Sequence, residues 1–425
     1  MNFDRMRALL LDQAIRGELV PQLAEEGVVE IGAIAPEAFK LPKTWKWLTL
    51  KSLVIPTKQI IPEESFTYLD VSSIKNFQID EIKRLDPSNA PSRARKVVQP
   101  GMVLFATVRP YLKNICVSPE LPGQVIASTA FATMTCSKDL NNRYLFYFLR
   151  SDFFTDLVKS KQRGISYPAI SEKDFYAFPV PVPPLDEQIR IVAKLDDAFA
   201  EIDRAEKAYE ELQTLAGVLR GQILQEAIQG KLVPQLVSDG VTKQIAEAPE
   251  EVPFDIPNTW SWIRGEELAV KRKTIDPSTL TNDEIELWSI PAYDAGVAEK
   301  VSPGDIGSSK KVVQAGDVLL AKIVPHIERV WIVSESANSL MKLASTEWLV
   351  YASELFLPEF MGLLFRSPYF RTKMMESVSG MGSLKRANPR TLAKVWLPVP
   401  PIKEQERIVI KVETLLKQVN LLLTK

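Results

Sequence analysis

Arg220–Gly240 reads RGQILQEAIQGKLVPQLVSDG, and Arg7–Gly27 reads RALLLDQAIRGELVPQLAEEG. Eleven of the 21 positions are identical at a constant offset of 213. Outward from these blocks the chain keeps repeating itself. FKLPKTWKW at Phe39–Trp47 returns as FDIPNTWSW at Phe254–Trp262, and VVQPGMVL at Val97–Leu104 returns as VVQAGDVL at Val312–Leu319, both at offset 215. Ala127-Ser128-Thr129 matches Ala344-Ser345-Thr346, and Leu149-Arg150-Ser151 matches Phe365-Arg366-Ser367. PVPPLDEQIRIVAKL at Pro181–Leu195 returns as PVPPIKEQERIVIKV at Pro398–Val412, offset 217. Six blocks in one order, with offsets drifting only from 213 to 217, define a tandem duplication with a period near 215.

The register of the duplication is circular. In the middle of the chain the PVPP block and the LVPQ block are joined through one continuous segment. The C-terminal copy stops about halfway, and its missing half is the N-terminal segment. The chain therefore reads as a ring of two equal halves with one helix cut, which places the two termini side by side.

The continuous segment, Leu185–Ile228, contains no Pro and opens with Asp186 and Glu187 after Pro183-Pro184, where a helix dipole favours acids. Apolar or small residues recur at Val192, Leu195, Phe199, Ile202, Ala205, Tyr209, Leu212, Ala216, Leu219 and Ile223. The steps alternate between three and four, with a stammer at Ile202–Ala205. Forty-four helical residues would span roughly 66 Å at ~1.5 Å per residue. The same spacing continues in Ile408, Val412, Leu415, Val419 and Leu422, and at the N-terminus in Phe3, Met6, Leu10 and Gln13. This pattern predicts an antiparallel coiled coil of the middle helix with a composite helix built from both termini, related by a pseudo-two-fold axis. Gly17 and Gly230 should end their helices, because the Leu-Val-Pro-Gln that follows each cannot continue one.

Between the helices lie two segments, 41–182 and 256–400, rich in short apolar runs punctuated by Pro and Gly. VVQPGMVLFATV and VVQAGDVLLAKI read as strands around a tight turn. Tyr144–Ser160 and Leu355–Ser377 read as helical. Each arm is thus expected to be an α/β domain with a mixed, strongly curved sheet.

The chain has 425 residues, with 52 basic and 53 acidic side chains, and this neutrality hides an uneven distribution. Residues 42–182 carry +7, residues 183–240 carry −5 and residues 257–401 carry +1. The cations of the arms cluster in loop-like sequence. In the first arm these are Arg93, Arg95 and Lys96; Arg109, Tyr111 and Lys113; and Arg163, Ser166 and Tyr167. In the second they are Lys271, Arg272 and Lys273; Lys322, His326 and Arg329; and Lys385, Arg386, Asn388 and Arg390. Arg and Lys can pair with guanine edges, Asn with adenine, and Ser or Tyr with phosphate or base. A single cluster is ordinarily a solvated face; recurrence at equivalent positions with different residues points to two surfaces of different specificity.

Catalytic signatures are missing. There is no GxxxxGK[ST] loop and no Asn-Pro-Pro-aromatic run, and Gly380-Met381-Gly382 follows no strand. With one histidine, His326, and two cysteines, Cys116 and Cys136, there is no material for a His-pair or Cys-rich metal site. No apolar run approaches the ~18 residues of a membrane helix, and no secretory signal is present, so the expectation is a soluble, cytoplasmic protein.

These pieces resemble the specificity subunits of type I restriction-modification systems across essentially the whole chain. The resemblance is carried by P-V-P-P-x-x-E-Q-x-R-I-V at Pro181–Val192 and Pro398–Val409, by the Leu219–Gln235 block, and by the paired Ala-Ser-Thr motifs. The strand turn departs from the family's frequent R-G-x-x-G-type continuation, reading Arg109-Pro110-Tyr111 and Val324-Pro325-His326. The resemblance implies two target-recognition domains, 23–182 and 237–401, separated by a central conserved helix, 183–236. A distal helix is completed by 1–22 and 402–425. It further implies a non-catalytic prokaryotic subunit that binds double-stranded DNA at a bipartite target and docks methyltransferase subunits, two in number, and motor–nuclease subunits where present. S-adenosylmethionine, ATP and magnesium would belong to those partners, with no cofactor or metal on this chain. The competing reading is a coiled-coil protein–protein adaptor without sequence-specific DNA binding.

Overall fold

Proline and glycine divide this chain more sharply than its hydropathy does, and the elements begin and end where they stand. A computed structural model describes residues 2–30, 35–164, 167–242, 249–281, 283–335, 340–380 and 385–424. The chain forms two compact units, Met1–Ala208 and Tyr209–Lys425, and the division falls inside the long helix. Met1 and Lys425, on which the expected meeting of the termini rests, lie outside the described residues.

Leu185–Ile228 is one helix of 44 residues, as the Pro-free run predicts. Val192, Leu195, Phe199 and Ile202 of its stripe are buried in the first unit, and Ala216 and Ile223 in the second. Ala205 and Leu219 are exposed instead. Ala205 stands at the three-residue step and falls off the packed face, and beyond it Leu224, Ala227 and Ile228 are buried together with Ala216 and Ile223.

The N-terminal helix, Phe3–Arg16, is capped by Asn2, whose side chain accepts from the Arg5 N–H at 2.9 Å. Its buried face is Phe3, Leu11, Ala14 and Ile15. The expected continuation through Met6 and Gln13 is corrected, since both are exposed. Ala14 and Ile15 stand three and four residues after Leu11 and share its face, which Met6 and Gln13 do not. This helix ends at Gly17 and the long one is followed by Gly230, both left-handed at φ 74 and 69. A side chain at either glycine would also overlap a proline ring, Pro42 or Pro257.

Each unit packs its part of the long helix antiparallel against a terminal helix. In the first, Arg7 meets Asp203 at 2.7 Å and Glu206 at 2.5 Å, while Gln22, past the helix end, reaches back to Glu187. In the second, Arg220 donates to Asn420 of the C-terminal helix Ile402–Thr424, while Gln235 reaches Glu404. Arg7 and Arg220 are repeat-equivalent, as are Asp203 and Asn420.

The Glu-Gln pair after each PVPP is the latch that fixes arm to helix. Glu187 accepts from the Trp45 indole N–H at 2.9 Å and the Gln22 amide at 2.6 Å; Glu404 accepts from Trp260 at 2.9 Å and Gln235 at 2.5 Å. Gln188 accepts from the Asn141 N–H and donates to the carbonyls of Asp139 and Pro183, and Gln405 does the same with Leu357, Leu355 and Pro400. All four side chains are buried, so each satisfied polar group forbids any other seating of the arm.

In the first arm most strands divide between two four-stranded sheets, and two short strand pairs, Lys46–Thr49 with Pro179–Val182 and Ile74–Lys75 with Gln78–Ile79, stand apart. One runs Lys83–Leu85, Phe66–Leu69, Gln124–Ser128, Ala94–Val98; the other runs Val54–Pro56, Phe131–Cys136, Val103–Ala106, Ile115–Val117. The second arm has a five-stranded sheet built on Lys342–Ser345 and a three-stranded one built on Val318–Ala321. One parallel pair in each arm makes one of its main sheets mixed, Phe66–Leu69 with Gln124–Ser128 and Ile285–Trp288 with Lys342–Ser345. The single curved sheet expected per arm is thus split into two main sheets and two short strand pairs. Each predicted helical stretch is likewise broken once, at Ser151 and Ser367, where an extended serine caps the next helix.

Candidate nucleic-acid interface

Strand Val103–Ala106 is buried along its whole length, and the chain must turn sharply where it leaves the sheet. It turns at Arg109, in the left-handed region at φ 48. The Arg109 N–H donates to the Pro168 carbonyl at 2.7 Å, and the Ile170 N–H to that of Thr107 at 2.9 Å. Arg163 and Ala169 exchange backbone bonds of 2.8 and 2.9 Å. Two clusters 50 residues apart in sequence are thereby stitched into one surface. The Arg109 guanidinium lies over the Tyr167 ring, 4.4 Å from its centroid, a cation–π contact that orients both. Arg163, Tyr167 and Tyr111 are exposed, as is Leu112, a neighbour that residue type alone did not single out. Ser166 lies outside the described residues.

The second arm repeats this elbow. Strand Val318–Ala321 leads to Val324, also at φ 48, whose N–H donates to the Lys385 carbonyl at 3.1 Å. The Ala387 N–H donates to that of Lys322 at 2.8 Å. A β-branched residue rarely adopts this conformation, so the surrounding pairing holds Val324 there against its preference. His326, Lys385, Asn388 and Arg390 are exposed beside it. Asn388 also caps the short helix Pro389–Leu392, accepting from the Arg390 N–H at 2.9 Å. Lys322 and Arg386 both face Glu347, at 3.9 and 3.1 Å. The two elbows share a backbone and differ in what it carries: Arg109-Pro110-Tyr111 against Val324-Pro325-His326.

Several expected contact residues point elsewhere. Lys96 is buried: it donates to the Phe131 carbonyl at 2.6 Å and pairs with Glu172. Its repeat equivalent, Lys311, donates in the same way to the Trp348 carbonyl at 2.7 Å. Arg272 pairs with the fully buried Asp317, and Arg329 forms two 2.8 Å bonds to Asp294, holding that carboxyl below its usual range. These three are corrected from DNA contacts to internal ties. Strand alternation decides it for Lys96, since Ala94, Lys96 and Val98 share the inward face. Lys113 is half-buried, bonded to the Arg150 carbonyl and to Asp152, both at 3.0 Å. Arg93, Lys271 and Lys273 are exposed, and Arg95 is half-buried. Burial pushes the thiols of Cys116 and Cys136 up to about 12.

Lys96→Met is therefore expected to lower the first unit's stability by ~1–3 kcal/mol, the range for stripping a buried hydrogen-bond partner. Urea unfolding measures that loss. Duplex affinity and its salt dependence should stay unchanged, and a salt slope shallower by about one would instead make Lys96 a phosphate contact.

Residues 118–214 match the family described as the type I restriction modification DNA specificity domain. That stretch runs from the first arm through the Glu187-Gln188 latch into the long helix. The chain is 22% identical to the EcoKI specificity subunit of Escherichia coli strain K12, over 90% of this chain and 86% of that one. It is 25% identical to the EcoBI specificity subunit of Escherichia coli, over 72% and 66%. The HsdS subunit from Thermoanaerobacter tengcongensis superposes with a TM-score of 0.59 at 28% identity, over 91% of this chain and 92% of that one. A chain from a structure describing complex assembly and conformational transition of the type I R-M system gives 0.69 at 28% identity, over 90% and 93%.

Over most of its length the chain is similar to type I specificity subunits. The motifs by which the sequence resembles that family are, in the structure, largely the latch: the Glu-Gln of each PVPPxxEQ is buried and holds an arm in place. The elbows are among the places where the copies differ, Arg109-Pro110-Tyr111 in one and Val324-Pro325-His326 in the other. Among the described residues no helix is long and apolar enough to cross a membrane.

Proposed function

We propose that this chain is the sequence-specific DNA-binding subunit of a type I restriction-modification complex and reads a bipartite target, one half per arm. The observation that carries the reading is the pair of elbows with one backbone and different exposed side chains. Phosphate contacts by exposed Lys and Arg position each arm, and elbow residues meet base edges. The long helix sets the separation of the half-sites. Methyltransferase subunits, two in number, dock on the assembly, and motor–nuclease subunits join where present. The chain itself is non-catalytic; S-adenosylmethionine, ATP and magnesium belong to the partners, and the complex works in a prokaryotic cytoplasm. The adaptor reading is not favoured, because the family matched is a DNA specificity domain.

Half-site spacing tests it. A B-DNA turn is about 34 Å and ~10.5 base pairs, so two added base pairs rotate one half-site by roughly 70° about the axis. Once selection from random duplexes has defined the target, this insertion is expected to weaken binding about tenfold or more. Equal affinity for both spacings would refute the ruler.

A further inference from the structure

A cavity of about 950 Å³ opens in the first unit beside the helix Asn142–Arg150, the turn Asn76-Phe77 and the Asp196–Glu206 stretch of the long helix. Three guanidinium groups line it. Arg7 is matched by Asp203 and Glu206, and Arg143 by Asp196 at 2.5 Å. Among the described residues no carboxylate forms an ion pair with Arg150, and Asp203 acts on it only from a distance. Its guanidinium carbon lies 3.7 Å from the Phe77 ring centroid and 5.0–5.1 Å from those of Phe146 and Phe199, and its Nε is buried without an acceptor. Burial, joined by the like charges of Arg7 and Arg143, outweighs the opposing pull of Tyr147 and Asp203 and pushes Arg150 down to about 10.

The surroundings hold this arrangement at some cost. Asn76 and Phe77 are both left-handed, at φ 48 and 64, a conformation that bulky residues seldom adopt. That turn carries the Phe77 ring onto Arg150. In the second unit the repeat-equivalent Arg366 is satisfied internally, donating to the Val330 carbonyl at 2.5 Å and that of Gly362 at 3.3 Å. The unmatched guanidinium is thus a property of this cavity and not of the repeated helix.

We propose that the cavity receives a carboxylate carried by a partner polypeptide, gripped by the Arg150 guanidinium. A planar fork of donors fits a carboxylate bidentately, and the aromatic walls exclude water from the pair, which strengthens it. The cavity also presents Asp4, Asp196, Asp203 and Glu206 against its three arginines, a lining that repels the many closely spaced phosphates of a duplex far more than a single carboxylate on an otherwise uncharged segment. The partner tested is the methyltransferase subunit, so the proposal rests on the function proposed above.

The experiment compares association of that subunit with the unmodified chain, with Arg150→Gln and with Arg150→Lys. Arg150→Gln is expected to weaken association at least tenfold, and Arg150→Lys, which keeps the charge without the fork, to fall between. Binding of bare duplex by the chain should not change. Undiminished association of a folded Arg150→Gln chain overturns the proposal. So does a selective loss of duplex affinity, which would make the cavity a phosphate seat. Should the variants fail to fold, hydrogen exchange on the unmodified chain decides: association must slow residues 76–78 and 143–150, and unchanged exchange there overturns the site. No association even by the unmodified chain overturns the functional reading and the assigned partner with it.

Discussion

Glu187→Ala is expected to lower the folded-to-unfolded ratio of the first unit by about a hundredfold. The carboxylate accepts from the Trp45 indole at 2.9 Å and the Gln22 amide at 2.6 Å, and alanine leaves the buried indole N–H without a partner, while the exposed Gln22 amide keeps the Gly17 carbonyl and water. A buried orphan costs ~1–3 kcal/mol, more where the lost acceptor was a carboxylate, so a loss of ~3 kcal/mol follows. Urea unfolding, followed by a probe in the first arm, measures it. Glu404→Ala should do the same to the second unit, and the two losses should add, because each network closes within its own unit. Strong coupling between the variants would mean that the latches are not independent.

The latch also carries a pH signature. Burial raises Glu187 above the ordinary carboxylate value, against the pull of its hydrogen bonds to Trp45 and Gln22. The folded state therefore holds this proton more tightly than the unfolded chain does. The group's contribution to stability is greatest below the unfolded value and falls as pH rises through the folded one. Glu187→Gln should remove that fall.

Arg109→Ala is expected to weaken binding of the target about thirtyfold, near 2 kcal/mol, within the range of a lost bidentate base contact. The effect should be confined to one half-site. Removing the guanidinium also releases the Tyr167 ring stacked beneath it, while backbone bonds through the Arg109 N–H keep the elbow in place. Selection from random duplexes should therefore show relaxed preference in one half and an unchanged consensus in the other. Relaxation in both halves would refute one arm per half-site. The second elbow has no such stack, carrying Val324 where the first has Arg109, and His326→Ala should act on the other half alone.

What was legible from sequence differs between helices and sites for physical reasons. The long helix was readable because a Pro-free run with a three-four apolar rhythm has few other uses. Its contacts were less so, since Ala205 and Leu219 keep the rhythm yet lie exposed. The position of each elbow was readable from the strand before it, but its geometry was not: Arg109 and Val324 take a conformation that glycine usually signals. Cation clusters misled where strand alternation or a facing carboxylate tied one member up, as with Lys96, Arg272 and Arg329. The Glu-Gln motif shows no mechanism in the sequence, because Trp45 and Gln22 stand 142 and 165 residues from Glu187.

The latch has a consequence for how such genes change. Both copies use the same donors on the same acceptor, Gln22 and Trp45 on Glu187, Gln235 and Trp260 on Glu404. A crossover between two related genes within the repeated blocks would join one parent's arm to the other's helix with every buried bond restored. Such recombinants would inherit stability whole and differ only in the letters they recognise. New specificities could then arise by shuffling, without passing through misfolded intermediates.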